Sequence, residues 1–133
     1  MTRKEVRSHS FRILFQLKFF KVPQVLEKID LYWNTQEVEE GKARDDIMEF
    51  VSGVTQNLDE IDKTINNFMK GWKTTRIPSA DLAILRIAVY EMLYTDLSIK
   101  IIANEAVELA KTYSTDDSPS FVNAIIGQIH KGL

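Results

Sequence analysis

A80-D-L-A-I-L-R-I-A-V-Y-E-M-L-Y94 is the stretch that decides the fold. Twelve of its fifteen residues are apolar or aromatic, and its charged residues, Asp81, Arg86 and Glu91, stand five apart. At about 100° per residue those three land on different sides of a helix. No wide polar face is left, so other elements must wrap this helix over most of its surface. It is too short for a bilayer, which needs about 20 apolar residues. Arg86 and Glu91 read as buried charges held by internal ion pairing, because an unpaired charge in such a helix is too costly.

On the C-terminal side, Ser98 is placed to cap a helix over 99–113 that buries Ile102, Ala106, Leu109, Ala110 and Tyr113 and turns Lys100, Asn104, Glu105, Glu108 and Lys111 outward. The run S-T-D-D-S-P over residues 114–119 is a helix-start signal, with Asp117 or Ser118 as the cap and Pro119 in the first turn. The last helix runs from Pro119 to about Lys131 and faces inward through Val122, Ile125, Ile126 and Ile129, with Phe121 at the edge of that face. On the N-terminal side, Ser79 caps the central helix. Residues 71–78 (G-W-K-T-T-R-I-P) form a connector with one large aromatic, Trp72. From Arg44 to Met69 the apolar residues keep to one sector of a helical wheel. They predict one long helix, with Asn57-Leu58-Asp59 as the place where it could break. Residues 34–43 are a polar loop, and 24–33 a short helix after Pro23. Arg3 to Phe20 is the first helix, with one seam at Val6, Ser10, Ile13, Leu17 and Phe20 and a second stripe at Phe11, Phe15 and Phe19. Lysine and arginine are rarely fully buried, so Lys4, Arg7 and Lys18 beside that stripe predict partial exposure. With no strand-like alternation, the chain reads as all-α.

At 133 residues the chain is one domain with enough length for a real core. It contains no cysteine, which excludes disulfides, thiolate metal sites and a cysteine nucleophile and fits a reducing, cytoplasmic location. The first residues carry charges and no apolar run of a secretory signal, and no membrane span is expected. The net charge of -2 hides an asymmetry. Residues 1–21 hold six basic side chains (Arg3, Lys4, Arg7, Arg12, Lys18, Lys21) against Glu5, whereas residues 27–62 hold eleven acidic ones against Lys28, Lys42 and Arg44. A basic end on an acidic protein can hold phosphate locally.

Little suggests an enzyme. His9 and His130 lie at opposite ends of the chain, no metal-ligand spacing occurs, and there is no glycine-rich phosphate loop. His9 reads as part of the basic patch. No catalytic residue, metal ligand or cofactor is expected. Three candidate binding surfaces remain: the basic first helix with its phenylalanine stripe, the connector from Trp72 to Arg76, and the loop ending at Asp117-Ser118. That loop is flanked by Tyr113 and Phe121, and aromatics beside a polar loop can stack unpaired bases.

The runs L85-R-I-A-V-Y-E91, I102-A-N-E-A-V-E-L-A-K111 and D117-S-P-S-F-V-N123, in that order and spacing, closely resemble the NusB family of transcription antitermination factors. R7-S-H-S-F-R-I-L-F-Q-L17 resembles that family's first helix, and the resemblance covers essentially the whole chain. It implies a single NusB-like domain of two antiparallel three-helix subdomains, residues 1–70 and 78–133. It also implies a function: binding boxA-type single-stranded RNA of ribosomal RNA leaders together with NusE, a small-subunit ribosomal protein, in an assembly that helps RNA polymerase resist termination. Position by position, it assigns Arg3, Lys4, Arg7, Arg76, Tyr113, Asp117, Ser118 and Phe121 to the RNA and Phe15, Asp81 and Leu82 to NusE. Asp81 and Leu82 would then emerge from the core beside Phe15. The arginine run before the first helix is thinner here than is usual in the family, broken by Glu5 and Val6, which implies more reliance on the partner. Two other readings stand beside this one. The first is a NusB-like module of an RNA cytosine methyltransferase, whose catalytic cysteines and α/β domain this sequence lacks. The second is a homodimer joined through the phenylalanine stripe.

Overall fold

In a computed structural model, residues 1–69 and 76–133 are described; Trp72 and most of the connector lie outside them. The elements are α1 (Arg3–Phe15), a 3-10 turn (Gln16–Lys18), α2 (Val22–Glu27), α3 (Ile29–Thr35), α4 (Lys42–Gln56), α5 (Leu58–Phe68), α6 (Ser79–Tyr94), α7 (Ile99–Tyr113) and α8 (Ser118–Gly132). The described residues form helices joined by turns, with no strand, as an all-α chain requires.

The chain divides into two compact units, Met1–Gln56 and Asn57–Leu133. In the first, α1 packs on α4, and the short helices α2 and α3 follow the 3-10 turn. Ile13 and Leu14 of α1 and Ile47, Val51 and Val54 of α4 are almost fully buried. Thr2 starts α1 with a reciprocal cap: its Oγ1 accepts from the Glu5 amide at 3.1 Å, and the Glu5 carboxylate accepts from the Thr2 amide at 3.0 Å. Those bonds hold the Glu5 carboxyl below the usual range.

In the second unit α6 is the centre, packed by α5, α7 and α8. Ala83, Ile84, Leu85, Ile87, Ala88 and Val89 are buried along it, so the wrapping expected from its composition is what the fold contains. Arg86 is held by Asp62 of α5 in a two-pronged ion pair, Nε–Oδ1 2.8 Å and Nη2–Oδ2 2.9 Å. Ser98 caps α7 through the Ile101 amide at 3.3 Å. Val122, Ile125, Ile126 and Ile129 of α8 are buried as their spacing predicts.

Four expectations need correction. The first α-helix stops at Phe15, and the chain tightens into the 3-10 turn, so the phenylalanine stripe is not one face: Phe11 is buried, Phe15 half-buried and Phe19 67% exposed. The long seam from Arg44 breaks at Asn57, where no side chain caps α5. In consequence α5, which the division at 70–78 places with the N-terminal half, packs on α6 and α8, and the second unit has four helices. Ser79 is the first residue of α6 and not its cap; Pro78 holds the cap position, and its carbonyl accepts from the Leu82 amide at 2.9 Å. His9 does not join a basic patch: its Nδ1 lies 2.6 Å from the Tyr32 hydroxyl and 3.2 Å from Arg12 Nη2.

Candidate functional site

The residues assigned to RNA fall into two groups, one in each unit. In the first, Arg3 and Lys4 are exposed in the opening turn of α1. Glu5, which interrupts the basic run in sequence, turns back to the Thr2 amide, and neither cation is ion-paired among the described residues. Arg7 has a different place. It is 1% exposed, and it shares its helix face with Ser10, Phe11 and Leu14, three, four and seven residues on. Its interactions are made within the protein, so its guanidinium is not presented to solvent phosphate.

The second group gathers around the start of α8. A cleft of about 240 Å³ is lined by Pro78, Asp81, Thr115, Asp117, Ser118 and Phe121. It joins residues assigned from sequence to two different ligands, Asp81 to the protein partner and Asp117, Ser118 and Phe121 to RNA. Asp81 does not emerge from the core: it is 3% exposed, and its Oδ1 accepts from the Ser114 hydroxyl at 2.7 Å. Ser118, also 3% exposed, lies 2.7 Å from Ser114 Oγ and 3.0 Å from Thr115 Oγ1. An aspartate in the first turn of α6 therefore anchors the loop that leads into α8, at a site its helix dipole favours.

Hydroxyl arithmetic gives this network a direction. Ser114 spends its one proton on Asp81, so it can only accept from Ser118. Ser118 is then out of protons and accepts from Thr115. The chain of donation runs Thr115 to Ser118 to Ser114 to Asp81. Asp117 holds the cap position of α8 without making a side-chain cap bond, so its exposed carboxylate is not spent on the helix as the sequence suggested. Phe121 is half-buried at the cleft edge, and Tyr113, half-buried at the end of α7, is not among the lining residues. Arg76 is exposed just before the cleft residue Pro78. Of the residues assigned to the protein partner, Phe15 and Leu82 are half-buried, each in its own unit.

Sequence reasoning missed Ser114, Thr115 and Pro78. The hydroxyl-rich run from Ser114 to Ser118 was the visible signal, but it also spells a helix start, and nothing in the spacing ties it to Asp81, 33 residues earlier. Among the described residues no cluster of histidine, cysteine, aspartate or glutamate is arranged to hold a metal, and no helix is long and apolar enough to cross a membrane.

Similarity to known proteins now adds to this geometry. The chain is 41% identical over 138 aligned positions to the transcription antitermination protein NusB of Acetivibrio thermocellus, covering 98% of this chain and 90% of that one. A solved structure of T. maritima NusB superposes with a TM-score of 0.83 at 34% identity, covering 98% of this chain and 92% of that one. A chain in a solved complex of the antitermination factors NusB and NusE with double-stranded RNA shares the fold, with a TM-score of 0.82 at 19% identity over 98% of this chain and 97% of that one. The family model described as NusB matches residues 4–131, nearly the entire chain. The order of the helices and the three sequence blocks that closed around α6 thus have one explanation: the chain belongs to the NusB family.

Proposed function

We propose that this chain is a non-enzymatic, RNA-binding transcription antitermination factor. It binds boxA-type single-stranded RNA of ribosomal RNA leaders together with the ribosomal protein NusE, within an assembly that lets RNA polymerase resist termination. The observation that carries the reading is the near full-length match to proteins named for antitermination. The solved complex of such a factor with NusE and RNA supports both partners.

In this reading Arg3 and Lys4, at the rigidly capped start of α1, supply phosphate contacts. Arg76, Phe121 and Tyr113 supply a further cation and two aromatic rings from the second unit. Phe15 and Leu82 contribute to the NusE surface, and Asp81 shapes that region from inside by holding Ser114. Arg7 acts as a buried support for the α1 face. Mechanistically the factor is a clamp: RNA and ribosomal protein are held side by side, and each lengthens the other's residence.

The test is RNA affinity of the Arg3→Glu, Lys4→Glu double variant, measured against a ribosomal leader RNA with and without NusE. Binding should weaken at least tenfold with an unchanged melting temperature, and the log-log salt slope should fall by about 0.7 for each phosphate no longer neutralised. Unchanged affinity at physiological salt overturns the assignment.

A further inference from the structure

Among the described residues of the second unit, the exposed large apolar side chains are Tyr94, Ile101 and the last residue, Leu133. Tyr94 and Ile101 stand at one corner, where α6 turns into α7, and half-buried Leu97 lies between them in sequence. A single exposed apolar residue needs no explanation, but a group of them marks an interaction site. The turn that carries the group is firmly built. The Thr95 hydroxyl donates to the Glu91 carbonyl at 2.6 Å and accepts from the Leu97 amide at 3.4 Å, and Ser98 caps α7 through the Ile101 amide. The Tyr94 ring leans on that of Tyr90, with centroids 5.7 Å apart and planes inclined at 32°. Two charges border the group, Asp96 and Lys100, both exposed and neither ion-paired among the described residues. Lys100 is disfavoured by its own helix. It stands in the first turn of α7, at the positive end of the dipole, and that turn holds no acidic residue. A carboxylate supplied from outside the chain would offset this.

We propose that this corner pairs with the same corner of a second copy of the chain across a two-fold axis. Tyr94, Leu97 and Ile101 meet their counterparts, and Asp96 of each copy faces Lys100 of the other. A two-fold contact is self-complementary, so whatever one copy needs it must also offer. The corner offers one carboxylate and one ammonium, four residues apart. A basic partner would meet Lys100 as a like charge, and an acidic partner would meet Asp96 so, whereas a reversed copy of the corner satisfies both. The phenylalanine stripe is less suited to the role, because its exposed ring, Phe19, already has Lys18 over it. Three apolar side chains and two rim charges per copy make a small contact, of the weak, transient class below about 1,200 Å² of total buried surface. The pairing does not rest on the RNA-binding function proposed above. Asp81 and Tyr94 lie near opposite ends of α6, about 20 Å apart at 1.5 Å per residue. A second copy at the Tyr94 end therefore leaves the cleft at the Asp81 end open in both copies.

Sedimentation equilibrium of the full chain at rising concentration should show the average mass climb from that of one chain toward that of two, with half-association on the order of 0.1 mM. Ile101→Ser should weaken the association at least about tenfold, since it removes an apolar anchor. Asp96→Lys and Lys100→Asp each set like charges opposite one another across the axis, and each alone should weaken it by about tenfold or more at low salt. An equimolar mixture of those two variants should restore it, because every lysine then faces an aspartate. All three positions are exposed, so the variants keep the fold, which their melting temperatures verify. A chain that stays single up to about 1 mM overturns the proposal. Association unchanged by either charge reversal overturns it too, as does a mixture of the two variants that stays single. Loss of association in Phe19→Asp, with the charge reversals inert, places the contact on the phenylalanine stripe and likewise overturns the assignment to this corner.

Discussion

His9 is held by two neighbours at one nitrogen. Its Nδ1 lies 2.6 Å from the Tyr32 hydroxyl and 3.2 Å from Arg12 Nη2, and the Tyr32 hydroxyl also reaches the His9 carbonyl, to which it donates at 3.4 Å. Burial, and after it the Arg12 charge, hold the imidazole below its ordinary value. The folded state then takes up a proton less readily than the unfolded one. Stability rises with pH through the window between the lowered value and the ordinary one, is complete above it, and is lost as the pH falls. Melting temperatures taken from roughly pH 5 to pH 7.5 should show that rise, and His9→Gln should flatten it; an equal slope in both proteins sinks the assignment. The Arg86–Asp62 pair gives a second prediction at this scale. Its arginine side chain is only 14% exposed, so Asp62→Ala leaves a poorly solvated cation behind and should cost about 2 kcal/mol in urea unfolding. The need of Arg86 for a partner was legible from its place in an apolar helix, but Asp62 was not, because the pairing spans 24 residues. Arg7 and Asp81 misled in the opposite direction. Side-chain chemistry suggested exposure for Arg7, and the family resemblance placed Asp81 at a partner surface; only the three-dimensional packing showed that one fills an α1 face and the other anchors a loop.

At the scale of elements, α1 shows how a periodic pattern can outrun the helix that carries it. Phe11, Phe15 and Phe19 keep a four-residue spacing, yet the α-helix stops at Phe15. Phe11→Ala should cost about 3 kcal/mol, the effect of a large cavity, and Phe19→Ala less than about 0.5 kcal/mol; equal losses in denaturant titration contradict this division of the stripe. Lys18 lies over the rings of both Phe15 and Phe19, 5.9 and 5.3 Å from their centroids, so the exposed end of the stripe is shielded by a cation. Helical character was legible throughout, because seams of apolar residues at 3.6-residue spacing leave few alternatives, but the number of helices was not: the single short helix expected over 24–33 is two, α2 and α3. Helix ends were less legible. The seam of α4 continues into α5 without interruption, and local propensity offered only Asn57 as a hint of the break. Capping was half legible. Ser98 caps α7 as expected, while Ser79 is the first residue of α6 behind Pro78, and Asp117 holds the cap position of α8 without a side-chain cap bond.

For the molecule as a whole, the division at Asn57 assigns each helix one set of neighbours. The central helix α6 is covered by three others, whereas α2 and α3 are single turns or little more. Native-state hydrogen exchange should find the slowest amides in α6, around Ile84–Ala88, and much faster exchange in α2 and α3; matching protection across all three helices contradicts this. The all-α class and the central role of α6 were legible because composition alone forbids an exposed face there. The partition between units was not, because α5 chooses its neighbours through side chains whose targets lie in α6 and α8. The same arrangement matters during translation. The first unit has all its helices once residue 56 has been made. The most apolar stretch of the chain, α6, is made well before α8, which completes its cover. Until α8 has been made and has docked, that flank stays uncovered, so a chain cut before Pro119 should aggregate where the longer chain does not.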